Sequence, residues 1–278
     1  MKRALVLLAA CGGKHDAPPP AHAPPPVAAA APIDAAAIAT RCAAADPLPP
    51  TTIGKWKLAG RVLSGPDARI GVIADVNGGK LDKPLEVDLV IALGGMGGTA
   101  SELQAALGAV VAAIPKDVPV IAIPGDLEPA ALPAIPGVLD GRAISRIDLA
   151  SASIALIGGA SAPTRLVNGG CIYTPADVAA AFADLAPRPG LRILASYEAP
   201  RRIVDGDATG ELGLVPGVGA ELDLHLHGSA DKPSPASKGG RTGSATPISP
   251  GGASRYQVAP VAGVLAVSAG AWTYAPVR

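Results

Sequence analysis

Apolar positions in this chain fall into short solid runs separated by Gly- and Pro-rich punctuation. The runs at 70–74, 87–93, 118–123, 154–157, 191–195, 222–227 and 263–267 are rich in Val, Ile and Leu and are bounded by turn residues, which predicts strands. Many are apolar at consecutive positions, the pattern of a strand covered on both faces. Two other segments read as helices. Thr99 and Glu102 form a capping box in front of residues 101–114, which stop at Pro115. Thr174 precedes Pro175 as an N-cap before proline at the first helical position, opening residues 176–186, which stop at Pro187. The first three strands and the first helix therefore read β-α-β, with the crossover helix between the second and third strands. Residues 229–255 are polar and rich in Gly, Ser and Pro and read as a long exposed loop.

The N-terminal part has a different pattern. Lys2 and Arg3 precede a short apolar run, Ala4 to Ala10, and then Cys11. That run is far below the ~20 residues needed to span a bilayer. Leu8-Ala9-Ala10-Cys11 resembles a bacterial lipobox, with Cys11 as the lipidated residue, so residues 1–11 read as a lipoprotein signal peptide. Residues 12–32 are a Pro/Ala-rich linker, a composition that forms an extended spacer and no packed core. Residues 33–57 read as a lead-in that begins with a short helix over 33–45, and residues 58–278 as the folded domain. The absence of Asp directly after Cys11 points, by resemblance to envelope-sorting patterns, to the outer membrane, with the domain facing the periplasm.

The chain carries 23 basic and 23 acidic residues, so charge gives no reason to expect nucleic acid as a partner. Aromatic residues make up only 3%, leaving few platforms on which bases or sugars would stack. Besides Cys11 there are Cys42 and Cys171. No CxxC pair exists to suggest a zinc ribbon, and Cys42 and Cys171 stand either as a disulfide or as two thiols.

Four of the strand-to-loop segments carry the candidate chemistry: IGVIADVNGG from Ile70, DLVIALGGMGG from Asp88, PVIAIPGDLE from Pro119 and LDLHLHGSAD from Leu222. Their order and spacing resemble the active-site segments of calcineurin-like metallophosphoesterases over residues 58–275. The resemblance implies an α/β fold, a four-layer α-β-β-α sandwich with two central sheets. It also implies a site at the carboxyl ends of the strands, where carboxylates and imidazoles hold two cations that clamp a phosphoryl group. Family members carry DxH, GDxxD, GNH followed by an acid, a lone His, and GHxH. Here the first motif reads Asp75-Val76-Asn77. The second reads Gly94-Gly95-Met96-Gly97-Gly98, with Gly95 in place of the bridging aspartate and Gly98 in place of the second acid. The third reads Gly125-Asp126-Leu127-Glu128, with Leu127 in place of the histidine. The lone His maps to Tyr197, and the last motif to Gly228-Ser229-Ala230-Asp231. Loss of the bridging carboxylate leaves two close cations with little to offset their repulsion.

Three functional readings stand on these residues. The first is a cell-envelope lipoprotein, anchored to the membrane by lipid, whose metallophosphoesterase-like domain is a pseudoenzyme with a binding or structural role toward a protein or small anionic ligand and needs no cofactor. The second is a hydrolase, a divergent phosphoesterase that holds one divalent cation (Mn, Mg, Ca or Zn) with Asp75, Asp126, Glu128, His225 and His227. His225 and His227 lie two apart on a strand and so share a face, where they are either ligands or strand histidines satisfied by hydrogen bonds. Without a cation, Asp75 and Asp126 would cap loops and Glu128 would be solvated. In the third reading, Gly95-Met96-Gly97-Gly98-Thr99-Ala100, a loose form of the dinucleotide fingerprint, binds an anion or nucleotide at a helix start. Lys232, Lys238, Arg241 and Arg255 form either a phosphate-binding rim or a solvated loop. No GxSxG, HExxH or P-loop occurs.

Overall fold

The computed structural model describes residues 40–42, 45–76, 81, 83–161, 166, 169–198, 222–228, 237–240, 246–250 and 261–277. Its elements are β1 (Thr40–Arg41), β2 (Thr51–Ile53), β3 (Trp56–Ala59), β4 (Val62–Ser64), β5 (Arg69–Ala74), β6 (Leu89–Leu93), α1 (Ala100–Ala112), β7 (Val120–Ile123), β8 (Val138–Asp140) and β9 (Arg146–Asp148). There follow β10 (Ala152–Ile157), β11 (Cys171–Ile172), α2 (Pro175–Leu185), β12 (Leu191–Ser196), β13 (Leu224–His227), β14 (Ser237–Gly240), β15 (Thr246–Ile248), β16 (Val261–Ser268) and β17 (Ala271–Val277). The fold is mixed α/β with few helices. One sheet runs β15-β13-β12-β10-β9-β4-β3-β2, the other β14-β17-β16-β5-β6-β7-β8, and β1 pairs with β11 apart from both.

The solid apolar runs become strands because both of their faces are covered. In β6, Leu89, Ile91 and Leu93 join a core shared with residues of the other sheet, such as Leu63, Ile154, Ile193 and Leu224. Val90 and Ala92 point the opposite way, to Leu103, Ala106, Leu107 and Val110 of α1. That spacing places the four helical residues on one stripe. The second sheet repeats the arrangement, with Ala155 of β10 and Leu194 of β12 packing on Val178, Phe182 and Leu185 of α2. Both helices begin as their sequences predict. Thr99 accepts from the Glu102 N–H and Thr174 from the Asp177 N–H, and both capping boxes are closed. At the amino ends of β5 and β10 the Asp67 carboxylate accepts from the N–H and hydroxyl of Ser151 and from the Ala269 N–H, tying loops of the two sheets together.

Three expectations change. Within 33–45, which the sequence reads as helix, Thr40–Arg41 pairs in parallel with Cys171–Ile172 as a strand, and residues 33–39, 43 and 44 lie outside the described residues. The cause is tertiary. Cys42 is bonded to Cys171 with 5.0 Å between their Cα atoms, and Arg41 forms an ion pair with Asp177 of α2. Side-chain helix propensity, a few tenths of a kcal/mol per residue, is outweighed by such anchors. The sheets also begin before residue 58: Thr51 pairs with Leu58 in the β2–β3 hairpin. Lastly, the stretch 229–255 is not a plain loop. It contains β14 and β15, and β15 pairs in parallel with β13 at a sheet edge, the place where a strand tolerates Pro247. Cys11 and the segments 1–11 and 12–32 lie outside the described residues. Among the described residues no helix is long and apolar enough to cross a membrane.

Candidate functional site

The ends of β5, β6, β7, β12 and β13 meet at one place, and backbone bonds hold them there. The Asp75 N–H donates to the Gly94 carbonyl (3.1 Å), the Gly94 N–H to Ile123 (2.8 Å) and the Gly228 N–H to Tyr197 (3.0 Å). The two sheets touch at the same point, because a Cβ on Gly228 would overlap the Leu93 carbonyl oxygen. The four segments singled out in the sequence therefore do converge.

What fills the space between them is aromatic and self-bonded. The Tyr197 ring lies against Gly94 and Gly125, where an added Cβ would come within 2.7 Å and 2.6 Å of its Cγ. The Tyr197 hydroxyl is hydrogen-bonded to Asp126. Burial first, then the charges of Asp126, Asp75 and Glu128, push its pKa above the ordinary tyrosine range. Gly95 sits directly on Asp75 with φ of 65°, and a Cβ there would overlap the Asp75 carboxylate and approach its Cα to 2.8 Å. Asp75 is itself left-handed, with φ of 51°, a conformation Asp tolerates better than most residues.

Glu128 is the clearest departure from expectation. It is not solvated: its exposure is 0%. Its Oε1 accepts from the Met96 N–H (2.5 Å) and its Oε2 from the Gly125 N–H (2.6 Å), and the Gly97 N–H also contributes. Burial raises its pKa, while these N–H donors act in the opposite direction. The carboxylate thus joins the loop after β7 to the loop after β6. On the same glycine turn, the Gly98 and Thr99 N–H groups donate to Glu102 (2.9 and 3.0 Å). The amides that an external anion would need at this turn are directed at the chain's own carboxylates.

His225 and His227 lie on the opposite face of β13 from Leu224 and Leu226, which belong to the core between the sheets. Each residue is 1% exposed, and the ring centroids are 5.7 Å apart. Burial holds His227 down to about 4. His225 is pushed well below the usual histidine range by burial and by its neighbour's charge. Nε2 of His225 lies 2.7 Å from Ser196 Oγ, and Ser196 Oγ donates to the Glu198 carbonyl (2.9 Å). Among the described residues, no three of the His, Cys, Asp and Glu side chains form a metal-ligating group. Lys238 is exposed on β14. Asn77, Ser229, Asp231, Lys232, Arg241 and Arg255 lie outside the described residues.

One cavity, of about 330 Å³, lies away from the strand ends, beside α2. Cys42, Arg61, Arg142, Tyr173, Asp177 and Asp184 are among its walls. No sequence motif marks it, since its walls come from separate elements brought together by the disulfide and by α2. Gly159 makes room for that bridge, because a Cβ there would overlap Cys42 Sγ. Compared with known proteins, the chain matches no protein-family model and no curated protein.

Proposed function

We propose that the chain is a cell-envelope lipoprotein whose domain is a degenerate calcineurin-like metallophosphoesterase fold, a four-layer α-β-β-α sandwich with a binding or structural role and no catalysis. The observation that carries this reading is the contact between Gly95 and Asp75. A dinuclear centre requires a bridging carboxylate at that turn, and a side chain there would overlap Asp75. Tyr197 and Glu128 occupy the surrounding space, so the residues present do not fit a two-cation site. The fold reading is supported by the core shared between the sheets and by a helix on the outer face of each. The Cys42–Cys171 bridge suits an oxidising compartment, in line with an exported domain. A small ligand has room in the cavity beside α2 rather than at the strand ends.

The competing reading, a one-cation phosphoesterase, draws on Asp75 and Asp126 both facing Tyr197. Turnover of a simple aryl phosphodiester in added Mn²⁺ decides between them. The proposal expects no hydrolysis above that of an Asp75→Ala variant, and metal-dependent turnover lost on that substitution refutes it. The envelope location rests on Cys11: Cys11→Ser is expected to move the protein from the membrane to the soluble fraction, and unchanged membrane association contradicts the anchor.

A further inference from the structure

We propose that His225 and His227 form a site for a monovalent d¹⁰ cation, Cu(I), bound through their two Nδ1 atoms. Ser196 Oγ donates its proton to the Glu198 carbonyl, so toward the 2.7 Å contact with His225 Nε2 it acts as acceptor. The tautomer that satisfies both contacts carries the ring proton on Nε2 of His225 and leaves Nδ1 with a bare lone pair. That Nδ1 is buried with no hydrogen-bond partner, and so is Nδ1 of His227. A buried acceptor left unpaired costs about 1–3 kcal/mol, and two of them lie close together on one face of β13. An imidazole whose second nitrogen is fixed by a hydroxyl is also the arrangement in which histidine ligates metals.

The spacing and charge select the ion. Ring centroids 5.7 Å apart lie within the span of two imidazoles sharing one cation, on the order of 5–6 Å at metal–nitrogen distances near 2 Å. A divalent ion in this 1%-exposed environment would bring two charges, and among the described residues no carboxylate groups with the two rings to neutralise them. A monovalent d¹⁰ ion is satisfied by two nitrogen ligands and brings the smaller desolvation cost, and imidazole suits copper. The site lies on the face of β13 turned away from the core between the sheets, so it is separate from the Asp75 cluster and does not depend on the functional reading above.

The test uses the full chain with Cys11→Ser, so that a free thiol does not compete. Anaerobic titration with Cu(I), kept reduced by ascorbate and read against a chromophoric Cu(I) chelator, is expected to show one ion per chain, with a rise in melting temperature. His225→Leu and His227→Leu are each expected to abolish binding while keeping the melting temperature of the metal-free protein. Ser196→Ala, which leaves both ligands in place, is expected to weaken affinity 10- to 100-fold. Absence of Cu(I) binding overturns the proposal, as does binding unchanged in both His→Leu variants. If those variants fail to fold, X-ray absorption of the Cu(I)-loaded protein decides: two-nitrogen coordination supports the site, and sulfur or oxygen ligation refutes it. Zn(II) binding tighter than Cu(I) refutes the charge argument.

Discussion

At the scale of single residues, the strand-end site is explained by what cannot fit as much as by what is present. Gly95 has φ of 65° and lies in contact with Asp75, so an aspartate at this position adds backbone strain of about 1–3 kcal/mol to a steric overlap. Gly95→Asp is accordingly expected to lose at least ~2 kcal/mol in urea unfolding and to gain no phosphodiesterase activity. A stable, metal-binding Gly95→Asp protein contradicts the geometry described here. Some of these residues were legible in the sequence. Asp75, Gly95 and Tyr197 could be placed because each follows a recognisable strand. The burial of Glu128 is not legible in the sequence, since it depends on N–H groups of Met96 and Gly97, some thirty residues earlier, and no local pattern records that partnership. The partners of the histidine pair were equally hidden, because Ser196 becomes a neighbour of His225 only once β12 pairs with β13.

At the scale of elements, signals carried within one segment were the readable ones. Both capping boxes and every solid apolar run appear in the structure, since each is decided by neighbours in sequence or by burial on two faces. The short strands β2, β4, β8 and β15 were not readable. They have three residues each and owe their existence to backbone pairing with strands already in place. β1 is the extreme case, two residues held by a disulfide and an ion pair. The bridge closes a loop with a sequence separation of 129, and in the chain-entropy picture such a long loop makes it strongly stabilising. Cys171→Ser is expected to lower stability by about 2–5 kcal/mol under non-reducing conditions, with the wild-type protein falling to a similar level once reduced. Equal stability of variant and oxidised wild type in chemical denaturation contradicts a structural role for this bridge.

At the scale of the whole molecule, two sheets share one core, and the ends of β5, β6, β7, β12 and β13 converge at one place. Backbone bonds hold the convergence, and the chain's own side chains fill it. Tyr197 stacks on Gly94 and Gly125, Glu128 is bonded to backbone amides, and the histidines of β13 face the other way. The mixed α/β character was legible because it rests on hydrophobic pattern. The state of the site was legible only in part, because it depends on contacts among four loops. This strand-end site is closed by its own side chains, and Mn²⁺ retention reports that closure. After equilibration with Mn²⁺ and exhaustive dialysis, the wild-type protein is expected to hold no more manganese than its Asp75→Ala variant. Stoichiometric manganese in the wild type that disappears in Asp75→Ala would contradict the account.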